Sequence, residues 1–133
     1  MTMLTPYLLF DGMCADAMAF YHARLGGELS MTRVGESPIK DHVPPGLHNK
    51  VLNARLKGGG FDISASDWMI PDRKPVQGNT VCLYLSGGTR DDLRRLFDAL
   101  SDGADITDPL REMPFLYGAL NDRFGVRWMF HAE

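Results

Sequence analysis

The sequence lacks any apolar run long enough to span a bilayer. No basic-then-apolar leader opens it, so a secreted protein is not expected. Lysine and arginine total 14 against 17 aspartates and glutamates, a net charge of −3. That balance, without a basic stripe, argues against nucleic acid or an anionic membrane as partner. There are only 2 cysteines, Cys14 and Cys82, far apart and without zinc-type spacing. A reducing cytoplasm is the simplest compartment for them. The motifs G-x-S-x-G, P-loop, dinucleotide fingerprint and HExxH are all missing.

What is present is a chain of 133 residues with the composition of an ordinary globular protein. The length predicts one domain able to bury a core without staples. Its 14 glycines and 8 prolines divide it into many short elements. Leu4 to Phe10 reads as a first strand, ended by Asp11-Gly12. Ala15 to Leu25 places Ala17, Met18, Tyr21 and Leu25 at helical spacing, and Gly26-Gly27 stops it. Glu28 to Val34 reads as a strand, and Gly35 to Asn49 as a long loop, which by its length is functional or mobile. Lys50 to Lys57 and Phe61 to Ser66 form a hairpin across Gly58-Gly59-Gly60. A proline-containing connector follows.

The pattern then restarts. Thr80 to Ser86 is an apolar strand. Thr89 opens a helix with Asp92 three residues on, a weaker capping box. Leu93, Leu96, Phe97 and Leu100 give that helix one apolar face. Ala104 to Leu110 is a strand. Two runs around Asp122-Arg123-Phe124-Gly125 form a closing hairpin, in which Gly125 supplies a positive φ. The fold class is therefore α+β, with two βαβββ modules, about 1–68 and 79–133, joined by a linker at 69–78. Such modules imply a curved mixed sheet with helices outside and a central cavity inside.

The stretches YLLFDG (Tyr7–Gly12), AMAFYHARLGGEL (Ala17–Leu29), KVLNARLKGG (Lys50–Gly59), SASD (Ser64–Asp67) and LNDRFGVRWM (Leu120–Met129) resemble the vicinal oxygen chelate superfamily. Within it they resemble the PhnB-like branch. The superfamily takes in glyoxalase I, extradiol dioxygenases and bleomycin- or fosfomycin-resistance proteins. The resemblance implies paired βαβββ modules, a cavity and a homodimer. PhnB-like chains have been labelled 3-demethylubiquinone methyltransferase domains, but no Gly-rich methyl-donor loop follows strand one here.

Metal-dependent relatives place four His, Gln or Glu ligands on inner strands, a set suited to a Lewis-acid metal. Matched by motif, those positions fall at Tyr7 or Pro6, near Ile63 or Ser64, at Thr80 and at Trp128. Val51 stands where many PhnB-like chains carry a further His. None is a ligand type, so neither a superfamily-type metal site nor a cofactor is expected. The four histidines, His22, His42, His48 and His131, have no shared helical spacing and no paired carboxylate. They read as exposed or singly hydrogen-bonded.

Strand alternation assigns faces. Leu8, Phe10, Leu52, Ala54, Leu56, Phe61, Ile63, Ala65, Val81, Leu83 and Leu85 are expected under the helices. Val51 and Asp62 are expected inward. So are the candidate ligand-binding residues Tyr7, Asn53, Arg55, Ser64, Thr80, Cys82, Tyr84 and Trp128, with Phe130. An aromatic cavity with scattered neutral polar groups suits a small organic molecule. Competing readings stand beside these. Trp128 and Tyr84 also read as core filling, and Arg55 as a strut paired with Asp62. Cys14 lies at a helix start, where the dipole lowers a thiol pKa, but no His is spaced to act as its base. It reads as inert. The function expected is metal-independent binding of a small molecule. The alternatives are a glyoxalase- or dioxygenase-type enzyme with a non-standard site, or a partner-binding domain whose cavity Trp128 and Phe130 fill.

Overall fold

Short apolar segments between glycine turns can each bury one face, and one amphipathic helix is enough to cover a small sheet. A computed structural model describes residues 1–133, which form two units, Met1–Val76 and Gln77–Glu133. The first holds β1 (Tyr7–Phe10), α1 (Cys14–Leu25), β2 (Glu28–Arg33), β3 (Val51–Lys57) and β4 (Asp62–Asp67). Its sheet order is β1-β4-β3-β2, with β1 parallel to β4 and the other pairs antiparallel. The second holds β5 (Leu83–Ser86), α2 (Arg90–Leu100), β6 (Asp105–Arg111), β7 (Leu116–Asn121) and β8 (Arg127–Ala132). Its order, β5-β8-β7-β6 with β5 parallel to β8, repeats the first topology. The duplication read from the sequence is thus a duplication of architecture. No helix is long and apolar enough to cross a membrane.

In the first unit α1 lies over β2, β3 and β4 and buries Ala17, Met18, Phe20 and Tyr21. Ala54, Leu56, Ile63, Ala65 and Phe10 are buried in the sheet beneath. In the second unit α2 buries Leu93, Phe97 and Leu100, the expected apolar face. Burial of each such side chain stabilises by about 1.5–3 kcal/mol. The Phe97 ring meets Phe130 edge-on at 5.1 Å. A Cβ on Gly118 would sit 2.9 Å from Phe97, so this strand position has to be glycine for the helix to approach.

The two helices begin differently. The Thr89 hydroxyl accepts the Asp92 N–H at 3.1 Å, and the Asp92 carboxylate accepts the Thr89 N–H at 3.2 Å, which completes the expected capping box. No side chain caps α1 at Met13. Instead the buried Asp67, from β4, accepts the Cys14 N–H at 3.0 Å and the Val51 N–H at 2.8 Å. One carboxylate therefore joins β4, the start of α1 and the start of β3.

Three expectations need correction. The stretch 35–49 is not featureless: with Val34 it winds into three short 3₁₀ turns. They are held in part by the His48 ring, which lies 2.8 Å from the Lys40 carbonyl and 2.9 Å from that of Val43. Strand five does not begin at Thr80. Leu83 pairs with Trp128, one residue from the start of β8, so Thr80 and Val81 have no strand beside them, and Val81 is exposed. Val51 does not face inward but is fully buried. A bulge opposite Thr32 and Arg33 inserts Leu52 and reverses the alternation before Asn53.

Candidate functional site

Each sheet has one face covered by its helix and one face free of it. In the first unit a row of paired residues, Tyr7, Ser64, Arg55 and Ser30, crosses all four strands on the helix-free face. Asn53 and Thr32 form a paired row next to it. Four candidates, Tyr7, Asn53, Arg55 and Ser64, therefore share this face. Tyr7 and its neighbour Leu9 are each 49% exposed, which is unusual for large apolar strand residues. Arg55 is committed to Asp62, with Nε on one carboxylate oxygen at 2.9 Å and Nη2 on the other at 2.6 Å. Those hydrogen bonds hold the Asp62 carboxyl below its ordinary range. Arg55 is the strut expected from the sequence.

In the second unit the helix-free face carries three rows. Ser86, His131, Tyr117 and Arg111 form the first; Tyr84, Met129, Ala119 and Asp108 the second; Arg127, Asn121 and Asp105 the third. Tyr84, a candidate from the sequence, is 55% exposed. Its ring stacks on His131 with centroids 6.4 Å apart, and Phe115 meets the same imidazole edge-on at 5.0 Å. The Arg111 guanidinium lies 5.4 Å from the centre of the Tyr117 ring. Cys82 is half-buried just before β5, and Thr80 is exposed further back. The sequence reading singled out neither Phe115, Tyr117, Arg111 nor His131 as site residues. Counting outward from the Asp122–Gly125 turn pairs Tyr117 with His131, a signal that was available.

Trp128 does not reach the open face, and neither does Phe130; of the two readings of Trp128, burial fits core filling. Leu83 pairs with Trp128 and Leu85 with Phe130, which puts both aromatics on the side that α2 covers. They are 1% and 0% exposed. Alternation alone could not choose the face; the parallel register with β5 does. The residue of this strand stretch on the open face is Met129, also not a metal-ligand type. The Trp128 indole N–H donates to the buried Asp122 carboxylate at 2.8 Å. The other Asp122 oxygen accepts the N–H groups of Phe124 at 2.8 Å and Val126 at 3.1 Å. Gly125 adopts φ +85° as expected. The motif DRFGVRW thus encodes a turn clamped by one carboxylate with a tryptophan locked beneath it.

Burial, then the neighbouring Asp67 charge, push the Cys14 thiol up to about 12. It stays protonated at neutral pH and is no nucleophile, as the inert reading had it. No three His, Cys, Asp or Glu side chains converge as a metal site would need. The residues at the family's ligand positions do not fit a metal.

No family model matches the chain. It is 32% identical over 140 residues to the protein YjdN of Escherichia coli strain K12, across 97% of this chain and 94% of YjdN. This chain belongs to the PhnB-like branch of the vicinal oxygen chelate superfamily. The solved structure of PA1353 from Pseudomonas aeruginosa is 34% identical, covers 100% of this chain and 98% of its own, and superposes with a TM-score of 0.87. A PhnB protein from Bacillus cereus, named as a 3-demethylubiquinone-9 3-methyltransferase, is 25% identical. It matches 99% of this chain and 100% of its own with a TM-score of 0.78. The glyoxalase/bleomycin-resistance fold, implied by the resemblance, is the fold of this PhnB-like chain.

Proposed function

We propose that this PhnB-like protein binds a small, partly apolar organic molecule on its helix-free sheet faces, without a metal. The observation that carries this reading is the cluster of Tyr84, Phe115 and His131, which presents aromatic surface to solvent at the sheet. A planar ligand would cover rings that folding leaves open. In the first unit Tyr7 and Leu9 supply apolar surface, and Asn53, Ser64 and Thr32 supply hydrogen-bonding groups. Thr80 and Cys82 lie outside the paired rows and have only a peripheral part. Trp128 acts as support beneath the sheet. The exposed Tyr7 and Leu9 also suit a homodimer, and the two free cysteines suit the cytoplasm.

The test is thermal stability with divalent metals and with a panel of flat aromatic compounds. The metals should leave the melting temperature unchanged. A ligand at 100 times its Kd should stabilise by about 2.7 kcal/mol. Stoichiometric metal in protein purified without chelator or metal-affinity resin would overturn the metal-free reading.

A further inference from the structure

The three rows on the second sheet are not alike. At one end Tyr84, His131 and Phe115 offer rings. At the other, Asn121 borders a depression of about 380 Å³ that Gln77, Gly78, Asn79 and Gly125 complete. Three of its lining residues, Gln77, Asn79 and Asn121, carry carboxamides. Tyr84's own row runs on through Met129 and the buried Ala119, which bear no charge, to Asp108 on β6. The row through Tyr117 and the row through Asn121 are four residues apart along β7, roughly 13 Å at the rise of a strand.

The guanidinium at the carboxamide end is already engaged. Arg127 donates to the Thr107 hydroxyl at 3.0 Å and to the Asn121 side-chain amide oxygen Oδ1 at 3.4 Å, and lies 3.9 Å from Asp108. Asp105 pairs with Asn121 across the strands and adds negative charge. Gln77 donates to the Phe124 carbonyl at 2.8 Å, which holds its amide at the rim. An anion there would meet a guanidinium already occupied and two carboxylates beside it. A hydroxyl or amide group would meet carboxamides, which can both donate and accept.

We infer that the molecule bound by the second unit is two-ended, with a flat aromatic ring over Tyr84 and His131 and an uncharged polyhydroxyl or amide group in the Gln77–Asn79–Asn121 depression. This rests on the reading of the helix-free face as a binding site. An aromatic glycoside has the required chemistry.

The experiment is an amide NMR titration of the whole chain with phenyl β-D-glucopyranoside, phenol, glucose and phenyl phosphate. The glycoside should shift amides at both ends, around Tyr84 and His131 and around Asn121 and Gly125. It should bind about tenfold tighter than phenol, as one or two added hydrogen bonds would give. Asn121→Ala should bring its affinity down to that of phenol, in a spectrum that still shows a folded chain. Equal affinities for glycoside and phenol would overturn the two-ended ligand while leaving an aromatic binder standing. Tighter binding of phenyl phosphate would overturn it in favour of an anion site. If none of the four binds at the face, or if the same amides shift on dilution because a second copy covers them, both readings fall.

Discussion

In the first unit the start of α1 hangs on a carboxylate from a distant strand, whereas in the second α2 caps itself with Thr89 and Asp92. The topology of the two is the same, and the physical problem is the same: amide N–H groups at a helix start need acceptors. A local cap depends only on its own few residues. Asp67 instead makes the helix depend on β4 and β3 being in place, because its second oxygen holds Val51. The second unit spends its buried carboxylate, Asp122, on the closing turn and Trp128. One duplicated fold therefore places its buried charges at different joints.

The sharpest way to break this contrast is Asp67→Ala. It would leave two buried N–H groups without acceptors, at about 1–3 kcal/mol each. A loss near 4 kcal/mol is expected in urea denaturation, with amide exchange speeding up at Cys14 and Val51. A loss under 1 kcal/mol would show that the carboxylate is not the joint described.

Thr89→Ala should cost about 1 kcal/mol, the usual worth of one N-cap. Its effect on amide exchange should be confined to α2. The cap also has an acid dependence. The Thr89 backbone N–H holds the Asp92 carboxyl below its ordinary value. A pKa lower in the folded than in the unfolded chain adds stability above the unfolded value and loses it as pH falls through the folded one. Asp92→Asn should therefore flatten the acid limb of a stability–pH profile. A profile identical to that of the parent would contradict the capping role.

Arg55→Ala gives the smallest effect. The pair it breaks is solvent-exposed, and such pairs contribute little to stability. Stability should hardly move. A large loss would mean that the guanidinium supports the first sheet in some further way.

Much of the fold is legible in the residues because its signals are local. Glycine turns bound the strands, α2 carries a clean apolar face and a capping box, and Gly125 marks the final turn. The faces of β1 and most of β4 follow from alternation. The errors arise where a non-local fact decides. Val51 turned away from the open face because of a bulge whose partner lies on β2. Trp128 and Phe130 went beneath α2 because β8 pairs in parallel with Leu83 and Leu85. The Asp67 joint was invisible, since SASD reads as family pattern until Cys14 and Val51 are brought to it. Of the site candidates, Tyr7, Asn53, Arg55, Ser64 and Tyr84 lie on open faces. The aromatic partners of Tyr84 come from the β6–β7 turn and the end of β8, too far along the chain for local spacing to reveal.

In the proposed site Tyr84 is a lining residue and Trp128 supports it from below. The most direct measurement is the ligand-induced rise in melting temperature, with one flat aromatic ligand from the panel, in Tyr84→Ala and Trp128→Phe. The account predicts that Tyr84→Ala melts near the parent temperature and loses the rise. Trp128→Phe, with the indole bond to Asp122 gone, should melt lower and keep it. The reverse pattern, a rise lost with Trp128→Phe and kept with Tyr84→Ala, would contradict it.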